Sequence, residues 1–145
     1  MTRICLLAVA LAACASSSTK PTTSSPSDQS RTFGASSSDP DLCVQGQQRA
    51  RTCTDAYIPA LVDARAQVDH PAGIAAAVQS DRDGVIAQAK QEWATDSQDA
   101  NIQQNCSQVP MDDQDRQSVT QCLAATDCQA YVTCIIPVVT KYFAK

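Results

Sequence analysis

Apolar residues recur every three or four positions along most of the chain after residue 41, which is the period of an amphipathic α-helix. The first such stretch runs from about 42 to 69, with charged residues between its apolar ones. Its apolar positions are Ala50, Cys53, Tyr57, Leu61, Ala64 and Val68. Because Pro59 lacks the amide hydrogen that an internal turn needs, we expect a bend near Tyr57 within one continuous helix.

A second apolar stripe follows the sequence HPAG at residues 70–73. Its members are Ile74, Val78, Val85, Ala89 and Trp93. Pro71 suits the first turn of this helix, where no amide hydrogen is needed. Ser80 and Asp83 have the spacing of a capping box, which predicts a division of the helix near them.

Three shorter helices are predicted in the remaining part of the chain. One covers about 98–105, and another begins behind Pro110. Three carboxylates suit the positive end of the dipole of that second helix: Asp112, Asp113 and Asp115.

The last segment, 127–143, is rich enough in β-branched residues to compete as a strand. Pro137 would disrupt a central strand, and Asp127 is a good N-cap, so we favour a helix. The pattern as a whole predicts an all-α domain over 41–145, a small disulfide-linked bundle of four to five helices.

The first forty residues follow a different pattern. The apolar run ICLLAVALAA after Arg3 is shorter than the roughly 20 residues that span a bilayer, and it is typical of a signal peptide. The run ends in Leu11-Ala12-Ala13-Cys14, which resembles the lipobox of bacterial lipoproteins. The resemblance implies that residues 1–13 are removed as a signal peptide and that Cys14 becomes a lipid-bearing first residue.

Residues 14–40 connect this cysteine to the helical domain and are rich in Ser, Thr and Pro. Such a segment buries little apolar surface, so we expect a flexible tether. The resemblance implies a protein of the bacterial cell envelope, anchored to a membrane by lipid. Ala15 after the cysteine is compatible with sorting to the outer membrane, where the domain would face the periplasm or the cell surface. An ordinary secreted protein with Cys14 at its cleavage site by chance is the alternative.

Six of the eight cysteines lie in the helical domain: Cys43, Cys53, Cys106, Cys122, Cys128 and Cys134. An even number in an exported chain predicts three disulfides, because the compartment outside the cytoplasm is oxidising. A zinc site is the alternative, but no C-x2-C occurs and the only histidine, His70, lies far from any cysteine in sequence.

Helical geometry excludes two of the pairs. Cys43 and Cys53 would lie about 15 Å apart along one helix, and Cys128 and Cys134 about 9 Å, whereas disulfide Cα atoms lie within about 7 Å.

Several pairings remain open. An antiparallel arrangement of the first and last helices favours one of them: Cys43–Cys134, Cys53–Cys122 and Cys106–Cys128.

Composition and motifs argue against most kinds of activity. The domain from 41 to 145 carries 8 Lys and Arg against 13 Asp and Glu, a net charge of −5, which argues against nucleic acid and against anionic lipid surfaces as partners. His70 is the only imidazole and lies in a polar corner between helices, without a nucleophile motif. The DRDG sequence at 81–84 lacks the other ligands of a calcium loop. We therefore expect no catalytic residues, no metal and no cofactor.

Tyr57 and Trp93 are the remaining candidates for a site. On their helical stripes both are typical core residues, and the alternative is that they form one wall of an apolar pocket between helices. The hypothesis that the sequence favours is a non-catalytic, lipid-anchored envelope domain that binds a protein partner. Binding of a small apolar ligand, or a role as an envelope chaperone or inhibitor, is the alternative.

Overall fold

The structure is a computed structural model that describes residues 38–142. This part of the chain forms six α-helices and no β-strand: α1 Asp39–Thr52, α2 Thr54–Gln67, α3 Ile74–Asp96, α4 Asp99–Cys106, α5 Asp113–Leu123 and α6 Cys128–Thr140. The all-α prediction is confirmed, with one helix more than the expected four to five. The predicted signal peptide, Cys14 and nearly all of the tether lie outside the described residues.

The expected single helix over 42–69 is divided into α1 and α2 at Cys53. The backbone leaves helical geometry there, with φ −102° and ψ 21° at Cys53. The Thr54 hydroxyl donates to the carbonyl of Arg51 (2.6 Å), which the amide of Asp55 would use in an unbroken helix. Pro59 lies inside α2, so the prediction of a bend near Tyr57 is wrong, and the break is about one turn earlier.

The predicted division of the second helix is confirmed in α3, but the residue that caps it differs. Asp81 leaves helical geometry with φ −153° and ψ 78°, and its Oδ1 accepts a hydrogen bond from the amide of Gly84 (2.9 Å). Asp81, rather than Ser80, therefore begins the second half of α3. A Cβ at Gly84 would lie 2.2 Å from Asp81 Oδ2, so glycine is what allows the carboxylate to fold over the amide.

The loop between α2 and α3 places Pro71 outside the helix, contrary to its predicted position in the first turn. Gly73, with φ 92°, is the N-cap of α3 and provides a left-handed conformation that suits glycine. Asp69 Oδ1 accepts hydrogen bonds from the amides of Gly73 (2.9 Å) and Ala75 (3.0 Å). The loop is thus closed by a single carboxylate.

The last three helices begin close to their predicted positions. Asp112 caps α5 by accepting from the amide of Asp115 (2.7 Å), and Asp127 caps α6 by accepting from the amide of Ala130 (2.8 Å). The segment with strand-like composition is helical, with Pro137 inside α6. This helix ends at Thr140 rather than at 143, and residues 143–145 lie outside the described part.

The helices surround one apolar core. α1 packs against α4 and α5, α5 against α6, and α2 against α6 and α3. The buried cluster draws on α1, α2, α5 and α6 and consists of Leu42, Ala50, Cys53, Tyr57, Ile58, Leu61, Val62, Val119, Cys122, Tyr131, Val132, Ile135 and Val138. Apolar side chains of α3 pack on this cluster only from the outside, half-buried.

Three disulfides join the helices: Cys43–Cys106, Cys53–Cys128 and Cys122–Cys134, with Cα–Cα distances of 5.5, 5.2 and 5.4 Å. They connect α1 to α4, the start of α2 to the start of α6, and α5 to α6. Neither of the two excluded pairs occurs. The favoured pairing is wrong in all three bonds. It placed the whole of the expected helix 42–69 against the last helix, whereas only α2 packs on α6 and the principal neighbours of α1 are α4 and α5.

Candidate functional site

The two aromatic candidates meet at the interface between α2 and α3. The ring centroids of Tyr57 and Trp93 lie 5.5 Å apart, with the ring planes tilted by 43°. Tyr57 is 5% exposed, and burial raises the pKa of its phenol to about 12. The Trp93 indole Nε1 donates to the Thr54 hydroxyl (3.1 Å), which satisfies the polar end of the half-buried ring. The sequence therefore identified two residues that pack directly on each other.

Charged side chains flank this aromatic contact. Burial lowers the pKa of Arg65 on α2, and the negative charge of Glu92 on α3 partly opposes that shift. Glu92 Oε1 accepts a hydrogen bond from Gln88 (2.9 Å), while Glu92 Oε2 is buried. The interface thus combines an aromatic pair with half-buried side chains of opposite charge.

Two ion pairs close the outer edge of the same interface. Lys90 Nζ lies 2.6 Å from Asp55 Oδ1, and Arg82 binds both oxygens of Asp63 (2.8 and 2.7 Å). These hydrogen bonds lower the pKa of Asp55 and of Asp63 below the usual value of an aspartate. Because Asp55 pairs with Lys90 and Asp63 with Arg82, the two helices run antiparallel.

A second cluster, at Asp115, was not expected from the sequence. Asp115 is 6% exposed and accepts from Lys141 Nζ (2.8 Å) and the Tyr142 hydroxyl (2.7 Å). The hydrogen bond to Asp115 is the main reason that the pKa of Tyr142 rises to about 12. Asp115 lies in the first turn of α5, where the helix dipole favours it, but its burial was not predicted from the sequence. Its spacing with Val119 and Cys122 on α5 was the available signal, since all three share one helical face.

Arg116 joins the starts of α1 and α5 beside this cluster. Its guanidinium donates to Asp39 Oδ1 (2.6 Å), to the carbonyl of Met111 (2.9 Å) and to Asp113. The hydrogen bonds from Arg116 and from the Met111 amide lower the pKa of Asp39. The arrangement holds the first turn of α1 against α5.

Tyr131 on α6 makes a polar contact with α1 inside the core. Its hydroxyl donates to the carbonyl of Gly46 (2.8 Å), and burial raises the pKa of the phenol above its usual value. The Arg49 guanidinium lies 5.9 Å from the ring centroid, within the range of a cation–π contact. This contact ties α6 to α1 although no disulfide joins those two helices.

The other predicted features are quickly placed. His70 lies in the exposed loop between α2 and α3. Within residues 38–142, no group of three or more His, Cys, Asp and Glu side chains is arranged to hold a metal ion. In the same range no helix combines the length and the apolar character needed to cross a membrane.

Comparisons of the chain with protein-family models, with curated proteins and with solved structures found no match. The interface between α2 and α3 is therefore chosen as the candidate site from its own residues. It contains an aromatic pair, half-buried charged side chains and two surface ion pairs.

Proposed function

We propose that this chain is a lipid-anchored protein of the bacterial cell envelope whose helical domain binds a protein partner and is not catalytic. The observation that carries the proposal is the combination of the lipobox-like sequence ending at Cys14 with a domain cross-linked by three disulfides. Disulfides persist in oxidising compartments, and a lipid on Cys14 would hold the domain at a membrane there.

The side chains of the domain support binding rather than chemistry. A hydrolytic nucleophile needs a base within hydrogen-bond reach, and the only imidazole, His70, lies in an exposed loop. The tyrosines at 57 and 142 hold their protons more tightly than usual, which makes them poor general bases near neutral pH. These groups stabilise helix contacts, and the surface they support is what a partner would meet.

Binding of a small apolar ligand is the second candidate function, because Tyr57 and Trp93 share an interface. Their rings are already in contact with each other, which favours the protein-binding proposal over the carrier. Titration with an apolar fluorophore separates the two, since Trp93 is the only tryptophan. Saturable one-to-one binding with quenching of Trp93 emission would favour the carrier.

The anchor is tested by the Cys14→Ser variant of the full chain, expressed in a bacterium. It should lose the acyl mass and leave the membrane fraction. Cys5→Ser is the matched control, because Cys5 lies in the predicted signal peptide and should leave the mass of the mature protein unchanged. An unaltered mass and membrane association in the Cys14→Ser variant would refute the lipid anchor.

The partner is tested by cross-linking the full chain in intact cells and purifying it from native membranes. We expect one envelope protein to be recovered in a fixed ratio with the wild-type chain. Recovery of the chain alone, at cross-linker concentrations that capture known envelope complexes, would contradict the binding function.

A further inference from the structure

The helix α3 differs from the other helices in how little of it is buried. None of its 23 residues is buried, whereas each of the other five helices within 38–142 has at least two buried residues. Its apolar side chains are half-buried against the core, and it packs chiefly on α2. If α3 left its place, its own side chains would lose only half-buried contacts, and the ring of Tyr57 on α2 would be uncovered.

The disulfides leave α3 free to do so. Cys53 and Cys106 are the cross-linked positions on either side of it in the chain, and α3 itself contains no cysteine. The segment between them can open while all three bonds stay closed. Local opening of this kind is expected where buried apolar contacts are few.

The backbone of α3 lowers its own stability further. Asp81 divides the helix into a first part of seven residues and a longer second part. Isolated helices shorter than about 12–15 residues are marginal in water, so the first part depends on its contacts with α2. Asp69 and Gly73, in the loop before it, have positive φ angles of 46° and 92° and allow the chain direction to change there.

We propose that α3 opens from α2 while the rest of the domain stays folded, and that the uncovered face of α2 binds a helix of a protein partner. This inference rests on the proposed protein-binding function and names its surface. The face carries the buried ring of Tyr57 and the carboxylates of Asp55 and Asp63.

The chemistry of the partner helix follows from what α3 supplies to that face. Arg82 pairs with Asp63, Lys90 with Asp55, and the Trp93 ring packs on Tyr57. A helix that replaces α3 needs two basic residues about eight positions apart and an aromatic residue about three positions further on, on a half-apolar surface. A peptide with the sequence of residues 74–96 meets that description, because it is the sequence of α3 itself.

Opening is tested first, by hydrogen exchange and mass spectrometry on the full oxidised chain. Amides of α3 should exchange at least about tenfold faster than those of α6. Trp93→Ala should accelerate α3 further and leave α6 unchanged, whereas the matched variant Tyr131→Phe should not accelerate α3 selectively. Equal protection of α3 and α6, or equal acceleration of both by Trp93→Ala, would overturn the inference.

Binding is tested with a fluorescent peptide of residues 74–96. It should bind the Trp93→Ala chain saturably and about tenfold or more tighter than the wild-type chain, because the binding-competent open state is more populated in the variant. A peptide with Arg82→Glu and Lys90→Glu is the control and should bind weakly. If Trp93→Ala does not fold, the exposed substitution Arg82→Gln takes its place.

Two results would overturn the docking surface. One is the absence of saturable binding to the opened chain, and the other is equal binding of the charge-reversed peptide. Recovery of a membrane partner while α3 stays closed would refute this inference and leave the proposed function standing. A chain with no partner would refute the function and with it the docking surface, even if α3 opens.

Discussion

Two regions of the domain are held together by different means. Helices α1, α4, α5 and α6 are joined by covalent bonds: Cys43–Cys106 links α1 to α4, and Cys122–Cys134 links α5 to α6. The hairpin of α2 and α3 is fixed covalently only at the Cys53 end of α2. Within the hairpin, α2 contributes buried residues to the core, whereas α3 is held by half-buried apolar side chains, one aromatic pair and surface ion pairs.

The polar groups of the two regions differ in the same way. In the cross-linked region, Asp115 and the Tyr131 hydroxyl are taken out of water and given close partners. At the hairpin, the ion pairs of Asp55 and Asp63 remain largely exposed, and surface pairs of this kind contribute little. The comparison indicates that the two regions are stabilised by different interactions.

Reduction of the three disulfides should have the largest effect. Each bond is worth roughly 2–4 kcal/mol against a typical total stability of about 5–15 kcal/mol, so the reduced domain should unfold near neutral pH. Far-ultraviolet circular dichroism of the full chain with and without a reductant measures it. A reduced chain that keeps its helical signal and melting temperature would show that the core, and not the disulfides, holds the first region together.

Removal of one disulfide at a time tests how much each bond contributes to this stability. Cys53–Cys128 spans 75 residues and Cys122–Cys134 spans 12. Loop entropy makes the two bonds worth about 4.5 and about 3 kcal/mol respectively. The Cys53→Ala/Cys128→Ala variant should therefore be less stable in urea unfolding than the Cys122→Ala/Cys134→Ala variant. Each pair contains one buried and one partly buried cysteine, so the two variants should lose similar amounts of packing. The reverse order would indicate that loop length does not govern their contribution.

Tyr131→Phe should destabilise the cross-linked region by about 1 kcal/mol, because it removes the hydrogen bond to the carbonyl of Gly46 inside the core. Urea unfolding followed by circular dichroism measures the loss, and the whole domain should be affected. Thr54→Val is the counterpart at the hairpin, since it removes the partner of the Trp93 indole. Because the Thr54 hydroxyl also donates to the carbonyl of Arg51, hydrogen exchange should rise in α3 and near the break between α1 and α2, but not in α4, α5 or α6. A uniform rise in all helices would contradict the contrast between the regions.

Asp81→Ala should cost about 1 kcal/mol or less, the typical value of a lost helix N-cap. Asp81 accepts from the amide of Gly84, so the loss should appear as faster exchange in the second part of α3. Ser80→Ala is the neighbouring control and should change little. If Ser80→Ala has the larger effect, the capping-box assignment made from the sequence is right and the cap at Asp81 is wrong.

Acid should have the smallest effect, and at the hairpin it should act through the two ion pairs. The pKa of Asp55 and of Asp63 is lower in the folded chain than the usual 3.8. Pairing therefore stabilises the fold above that pH, and the stabilisation is lost as the pH falls through the folded-state values. Trp93 emission between pH 5 and pH 2.5 should shift modestly to longer wavelength. The Asp55→Asn/Asp63→Asn variant should lack this transition, and an unchanged transition in it would assign the shift to other carboxylates.

Local features of the fold were predictable from the sequence. The helical period identified the helical regions but not the break at Cys53. Asp127 caps α6 as expected, and Asp112 lies at the start of α5 as expected. The proximity of Tyr57 and Trp93 was also anticipated in part, as two residues on the stripes of neighbouring helices. These features depend on residues three or four positions apart, which a sequence displays directly. The lipid on Cys14 stays a prediction.

The tertiary structure alone decided how the segments meet. Six cysteines allow fifteen pairings, and helical rise excludes pairs within one helix without selecting among the others. Cys43 pairs with Cys106 because α4 lies beside α1. The polar contacts of the buried Asp115 likewise come from residues distant in sequence, Lys141 and Tyr142. Periodicity shows which face of a helix is apolar, but only packing determines which helix covers that face.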